Sequence, residues 1–296
     1  MGITTRKRIF QSAFAGGGLS ILLLAAPVAI AFAAQLNLRP GFNLFSVSQD
    51  VQVGKENAAK VEKELPILND AAATRYVSEL GRRLSAHTIE NQPQYVWQFK
   101  LVNSPDINAF ALPGGYIYVN RATLESAQDE AQLAGVIAHE EGHVVMRHGT
   151  HQASEMMLAQ APLAILGGFL GQSGSMSSRL VQYVGAAALQ LALLRYSRGL
   201  EAQADSAGTL ILYRAGYDPR AMAQFFQIIE QKYPQQAPQW LSNHPNPGNR
   251  IKAVDQEIPE LGPPRPWTTD SADFQAVKRH LLSLPPAPQP KPQTQG

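Results

Sequence analysis

His139, Glu140 and His143 stand in the order His-Glu-x-x-His inside a stretch of helical patterning. Residues four apart on a helix lie one turn above each other on the same face. Two imidazole nitrogens so placed can reach one metal ion, with zinc the usual occupant. Glu140, between them, can reach a metal-bound water and act as general base. Two histidines do not complete a catalytic zinc site, which usually takes three protein ligands and one water. A later helix supplies the best third candidate, Glu201, with Asp205 four residues on and so on the same face. Glu201 can ligate the metal, while Asp205 can accept the second N–H of a ligand histidine and fix its tautomer. Taken by itself, the same pair also fits a solvated acidic face.

These residues need elements to hold them. A helix is expected from about Ser126 to His148, with Asp129 and Glu130 in its first turns, favourable against the helix dipole. Leu133, Val136, Ile137 and Val144 would bury one face and set the metal at the bottom of a cleft. His148 and His151 fall at its end and are assigned to the helix terminus rather than to the metal. Before this helix, Tyr95 to Val102 is rich in aromatic and β-branched residues and reads as a strand. Asn108 to Leu112, a Pro113-Gly114-Gly115 turn and Tyr116 to Val119 read as a hairpin or bent edge. An edge strand beside a metal can pair with an extended peptide through main-chain hydrogen bonds. The same pattern equally fits an ordinary sheet edge.

Further helices are predicted over Lys55 to Leu65, from a cap at Asn69 or Asp70 to about His87, Arg195 to Arg214, Pro219 to Lys232 and Ser271 to Leu282. Residues 233–250 read as loop. Met156 to Gly171 and Leu180 to Leu194 carry no charge and flank a Gly/Ser stretch, which predicts a helical hairpin over 156–194. Each arm is shorter than the roughly 20 residues a spanning helix needs. Packing on the domain, a lid, peripheral membrane contact and self-association all fit it.

The front of the chain has a targeting layout. Arg6-Lys7-Arg8 precedes a long apolar run ending Ala31-Phe32-Ala33-Ala34, as in a secretory signal cleaved near Ala33. A retained anchor is the alternative, though Gly16 to Gly18 and Pro27 make a poor helix. Either places the remainder outside the cytoplasm, in the periplasm or cell envelope. Setting those three cations aside leaves 22 basic residues against 23 acidic, so no nucleic-acid surface is indicated. The absence of cysteine excludes thiol catalysis and Cys-type zinc sites, and 45% hydrophobic content is ample for a core. The domain plan is 1–34 signal or anchor, 35–53 lead-in, 54–265 catalytic domain with the 156–194 insert, 266–283 C-terminal helix and 284–296 a Pro-rich tail unable to build a core.

His139-Glu140-x-x-His143 followed by Glu201-x-x-x-Asp205 resembles the zinc metallopeptidases related to HtpX, BepA and the CAAX prenyl endopeptidases. Asn108-Ala109-Phe110 with Pro113-Gly114-Gly115 is similar to that family's strand motif, and Ser242-Asn243-His244-Pro245 through Arg250 to its late His-Pro…Arg motif. The resemblance covers roughly residues 50–260. It implies an α+β fold, a mainly helical, compact domain whose small sheet has an edge strand lining the active-site cleft. It implies one Zn²⁺ per chain held by His139, His143 and Glu201, with Glu140 as base and Asp205 supporting a ligand. His244 would stabilise the transition state or take the fourth zinc position, and Arg250 matches the motif's arginine. Asn108, Ala109 and Phe110 would bind substrate. The expected function is a cell-envelope zinc endopeptidase acting on unfolded or misassembled polypeptides. The alternatives are a largely latent, chaperone-like assembly factor blocked by His244, and a membrane-embedded peptidase. Set beside HtpX-like members with membrane spans and BepA-like members with helical repeats, the chain is expected to be a stand-alone secreted peptidase domain, with any substrate recruitment left to a separate protein.

Overall fold

The computed structural model describes residues 38–88, 95–166, 196–233, 242–244 and 249–289. The front segment 1–34, most of the 156–194 hairpin and the end of the 284–296 tail lie outside the described residues. The fold is α+β and mainly helical, with one small mixed sheet.

Helix α1 (Val47–Glu64) begins well before Lys55. A capping box causes this: Ser46 accepts from the Gln49 backbone while the Gln49 side chain reaches back to the Ser46 N–H. It therefore starts inside the stretch expected to be lead-in. Helix α2 (Ala71–Ser85) is capped by Asp70, whose carboxylate accepts from Ala73 N–H.

Strands β1 (Gln98–Val102), β2 (Ala109–Leu112) and β3 (Tyr116–Asn120) form a sheet of order β1-β3-β2. β1 runs parallel to β3 and β2 antiparallel to it, which leaves β2 at an edge. Side chains alternate across it. Phe110, Leu112, Tyr116 and Tyr118 pack with Val53, Ala58 and Val61 of α1 on one face. Ala109, Ile117 and Val119 join the larger core on the other. Gly114 turns the hairpin at φ 79°, and a Cβ there would stand 2.6 Å from Val51 Cα.

The helix expected over 126–148 is one helix, shorter at both ends and flanked by two others. Helix α3 (Arg121–Ser126) follows β3 directly, α4 (Glu130–Val145) is capped by Asp129, and a turn at Met146-Arg147 precedes α5 (His148–Leu166). Arg147 adopts φ 59°, a left-handed conformation that breaks the helix and redirects the chain. Helix α6 (Arg198–Ala215) is capped by Ser197 and closed by Gly216 at φ 87°, and α7 (Ala221–Lys232) follows. Helix α8 (Arg250–Leu261) was not foreseen; Asn249 caps it, its side chain accepting from Lys252 N–H. Helix α9 (Ala272–Ser283) packs back on the domain, where Arg121 donates to the carbonyls of Leu281 and Pro285. No helix among the described residues is long and apolar enough to cross a membrane.

Candidate metal centre

Every residue of α4 is buried. A helix apolar nearly all round belongs in a core, and its few polar side chains must find partners there. His139 and His143 share the face turned to α6. That crossing is close because both helices present glycine: a Cβ on Gly142 would lie 2.8 Å from Ala204 O, and one on Gly208 3.2 Å from His139 N. On α6, Glu201, Ala204, Asp205 and Gly208 recur at helical spacing, so the contact that needs small residues also aims two carboxylates at the histidines.

The result is a cluster of donors. His139 Nε2 and His143 Nε2 are 3.0 Å apart. Glu201 Oε2 lies 3.5 Å from His139 Nε2, and Glu201 Oε1 3.5 Å from His143 Nε2. His244 completes the group, its Nδ1 3.2 Å from His139 Nε2 and 3.1 Å from Glu201 Oε1. One ligand atom from each of these four buried residues lies within 4.8 Å of all the others. Glu140 stands beside them, its Oε1 3.6 Å from His244 Nε2.

Around the cluster, His139 Nδ1 lies 3.0 Å from Asp205 Oδ1. Arg250 spans the two acids of α6, Nη1 donating to Asp205 at 3.1 Å and Nη2 to Glu201 at 3.2 Å. Its guanidinium rests 4.6 Å over the Phe226 ring, which also meets His139 edge-on. Burial opposes charge on His139, but the Asp205 and Glu201 contacts outweigh it and hold the imidazole up at about 9. Burial drives His143 well below its ordinary value and His148 down to about 4. Glu201 is also pushed up by burial, yet the charges and hydrogen bonds of His244 and His139 hold its carboxyl far below the usual range. Glu141, fully buried, is pushed well up by burial alone.

The strand residues sit differently. Asn108 is buried, its N–H donating to Thr123 Oγ1 and its carbonyl accepting from that hydroxyl and from Asn120 N–H. Phe110 stacks on Tyr118 in the core under α1. Asn108 and Phe110 thus bury their side chains in the domain. The cavity that reaches His143 is lined by Ala111 and Leu112 further along the same strand, by Pro113 just after it, and by Tyr196. Three neighbours of the cluster were not singled out for it in the sequence. Tyr196 stacks on His143 at 4.2 Å, His148 Nδ1 lies 2.9 Å from His143 Nδ1, and Phe226 supports Arg250. Tyr196 and Phe226 carry no motif. His148, five residues beyond His143, is off the helical period.

The donor set fits a zinc ion. Three imidazoles and one carboxylate are borderline-soft N/O donors of the kind zinc takes. Two ring nitrogens face each other at 3.0 Å in a buried site, and a shared cation relieves that opposition.

The chain resembles known proteins over most of its length. Residues 71–258 match the profile of peptidase family M48. The chain is 30% identical to the beta-barrel assembly-enhancing protease of Yersinia pestis over 283 residues, 90% of this chain and 57% of that protein. It is 30% identical to the protein of the same name from Escherichia coli (strain K12) over 269 residues, 87% of this chain and 54% of that one. It is 34% identical to the mitochondrial metalloendopeptidase OMA1 of Homo sapiens over 211 residues, 67% of this chain and 37% of that one. The chain thus spans about half the length of the first two.

Proposed function

The chain belongs to peptidase family M48, and on that premise we propose that it is a zinc-dependent endopeptidase of the cell envelope that cleaves unfolded or misassembled polypeptides. The observation that carries the reading is the buried His139, His143, Glu201 and His244 cluster with Glu140 beside it. His139, His143 and Glu201 would hold the metal. Zinc in such a site lowers the pKa of water and polarises a carbonyl. Glu140 takes the proton from the attacking water and passes it to the leaving amine. Asp205 keeps the His139 ring proton on Nδ1 and its Nε2 turned into the cluster, and Arg250 holds Asp205 and Glu201 in place.

The substrate lies extended along the edge strand β2, antiparallel to it or parallel, with its backbone paired. Pairing through the backbone suits unfolded chains of varied sequence. The relatives' names join protease chemistry to beta-barrel assembly, which supports an envelope substrate. The extracytoplasmic placement rests on the basic triplet and apolar run at the front of the sequence.

Glu140→Gln tests the reading. The variant should bind one zinc per chain as the parent does and cleave an unfolded test protein about 10²–10⁴ times more slowly, the span usual for a general base. Equal cleavage by parent and variant would show that Glu140 is not the base.

A second reading has its own observation: His244 Nδ1 stands inside the donor set. A site closed by a fourth protein ligand would be latent, and the protein would then act mainly as an assembly factor until His244 moves.

A further inference from the structure

We propose that His148 and Gln203 form a directional hydrogen-bond relay that fixes the ring proton of His143, so that the backbone carbonyl of Arg39 sets the polarity of a metal ligand 104 residues away in sequence. The relay rests on His143 being a ligand and extends the site to two residues outside its motif.

The chain of contacts is short. His143 Nδ1 lies 2.9 Å from His148 Nδ1, His148 Nε2 lies 2.9 Å from Gln203 Oε1, and Gln203 Nε2 donates to Arg39 O at 3.1 Å. Each link has a direction, and the last one is fixed by chemistry. A backbone carbonyl can only accept, so the NH₂ end of the Gln203 amide faces Arg39 and its oxygen faces His148. An amide oxygen also only accepts, so His148 carries its proton on Nε2 and leaves Nδ1 bare. A bare Nδ1 accepts from His143, whose proton then sits on Nδ1. His143 Nε2 is left with its lone pair directed at the cluster, the form a metal requires.

The fold is built to keep His148 there. It is the first residue of α5, five positions beyond His143, and on a continuous helix it would point elsewhere. The left-handed turn at Arg147 swings it back under His143, where the two rings meet edge to face at 4.9 Å with Tyr196 closing the third side. A non-glycine residue in that conformation is strained and persists only when the surroundings determine it. Here they do: Arg147 donates to Asp50 at 2.6 and 3.1 Å and to Phe45 O. Arg39 and Phe45 both belong to the segment before α1, so this segment holds both the Gln203 end of the relay and the turn that delivers His148.

The two histidines of the motif are therefore oriented by different means. His139 faces the carboxylate of Asp205, which accepts and adds a negative charge. His143 faces a neutral relay that orients it while adding none. A positioning role for His148 and Gln203 follows; neither reaches the cluster itself.

The test is zinc affinity by chelator competition on the purified protein, the visible spectrum of the cobalt-substituted form, and thermal unfolding of each metal-free variant. His148→Phe and Gln203→Leu should weaken zinc about 10–100-fold, the usual cost of losing a ligand's supporting partner, and shift the cobalt bands. His148→Asn should recover most of the affinity, because its Oδ1 stands where the ring Nδ1 stood and can accept from His143. Gln203 is only partly buried, so Gln203→Leu keeps the test valid if His148→Phe does not fold. Lower melting temperatures with unchanged zinc affinity and cobalt bands would reduce both residues to packing and overturn the relay. His143→Ala separates the two levels: if it binds zinc as tightly as the parent, the ligand assignment fails and the relay with it. If it loses zinc while His148→Phe and Gln203→Leu do not, only the relay fails.

Discussion

Arg250 donates through Nη2 to Glu201 Oε2 at 3.2 Å, joining the first residue of α8 to the carboxylate at the centre of the donor cluster. Its Nη1 reaches Asp205 at 3.1 Å, so one planar fork holds both acids of α6 at the separation the histidines need. The three charges are buried together, two negative and one positive, against the Phe226 ring.

Removing one partner from such a group leaves uncompensated charge. Arg250→Ala is expected to destabilise the metal-free protein by about 3–5 kcal/mol, read as a shift of the urea midpoint. The loss should be smaller with zinc bound, since the ion then faces Glu201. Arg250→Lys should restore little, because an ammonium cannot bridge two carboxylates in a fixed plane. A midpoint for Arg250→Ala equal to that of the parent would count against this account.

Gly142 fixes how closely α4 approaches α6. A methyl there would stand 2.8 Å from Ala204 O and 3.2 Å from Ala207 Cβ, so the helices must separate. Gly142→Ala should destabilise by about 1–3 kcal/mol and weaken zinc, since the separation moves Glu201 away from His139 and His143. Gly149→Ala is the control: its nearest neighbour is Pro113 Cγ at 3.4 Å, an ordinary contact, and its stability should match or slightly exceed the parent. Equal zinc affinity for Gly142→Ala and Gly149→Ala would show that the crossing does not set the site.

Much of this was legible in the sequence for physical reasons. The His139–His143 and Glu201–Asp205 spacings are local helical geometry, and the sheet alternates apolar side chains at the period of two that its strands require. What escaped depends on non-local or one-residue events. The start of α1 turns on a capping box at Ser46 within a segment of no clear period. The break between α4 and α5 turns on Arg147, a good helix former held in a left-handed conformation by Asp50, 97 residues away. No pattern of spacing places His148 under His143 once that break occurs. Helix α8 was hidden by the neighbouring Pro and Asn residues, which read as loop although Asn249 is its cap. The motif thus marks the centre of the site, while its supports come from tertiary contacts.

The pH dependence of the metal-free protein follows from opposed shifts. His139 is held up at about 9 by Asp205 and Glu201 despite its burial, against an ordinary value of 6.5. A raised group contributes stability that is fully present below about pH 6.5 and lost as pH rises through about 9. His143 and His148 are lowered by burial, so they are neutral in both folded and unfolded chains across that window and add nothing to it. Below pH 6.5 they act the other way, because the unfolded chain takes up their protons first. Metal-free stability should therefore peak near pH 6.5, with His139 contributing a fall of roughly 3 kcal/mol at most toward pH 9 and buried Glu141, raised by burial, adding to it. Urea midpoints at four pH values measure this, and His139→Asn should flatten the upper limb. A parent profile flat from pH 6.5 to 9 would refute it.

His244 decides whether the cluster is open to water. Its Nδ1 stands 3.1 Å from Glu201 Oε1 and 3.2 Å from His139 Nε2, while its Nε2 is 3.6 Å from Glu140 Oε1. One buried ring thus lies between the donors that would hold zinc and the carboxylate that would serve as base, the place an attacking water must occupy. A ring so placed competes with water more directly than it serves an oxyanion. His244→Ala is accordingly expected to retain one zinc per chain, bound less tightly, and to cleave an unfolded test protein faster than the parent. Each tenfold gain corresponds to about 1.4 kcal/mol of blocking removed. The opposite result has a distinct size: loss of an oxyanion donor lowers kcat by about 10²–10³, and a fall of that order would assign His244 to the transition state and end the latent reading. Zinc content measured on the same samples separates either effect from simple loss of the metal.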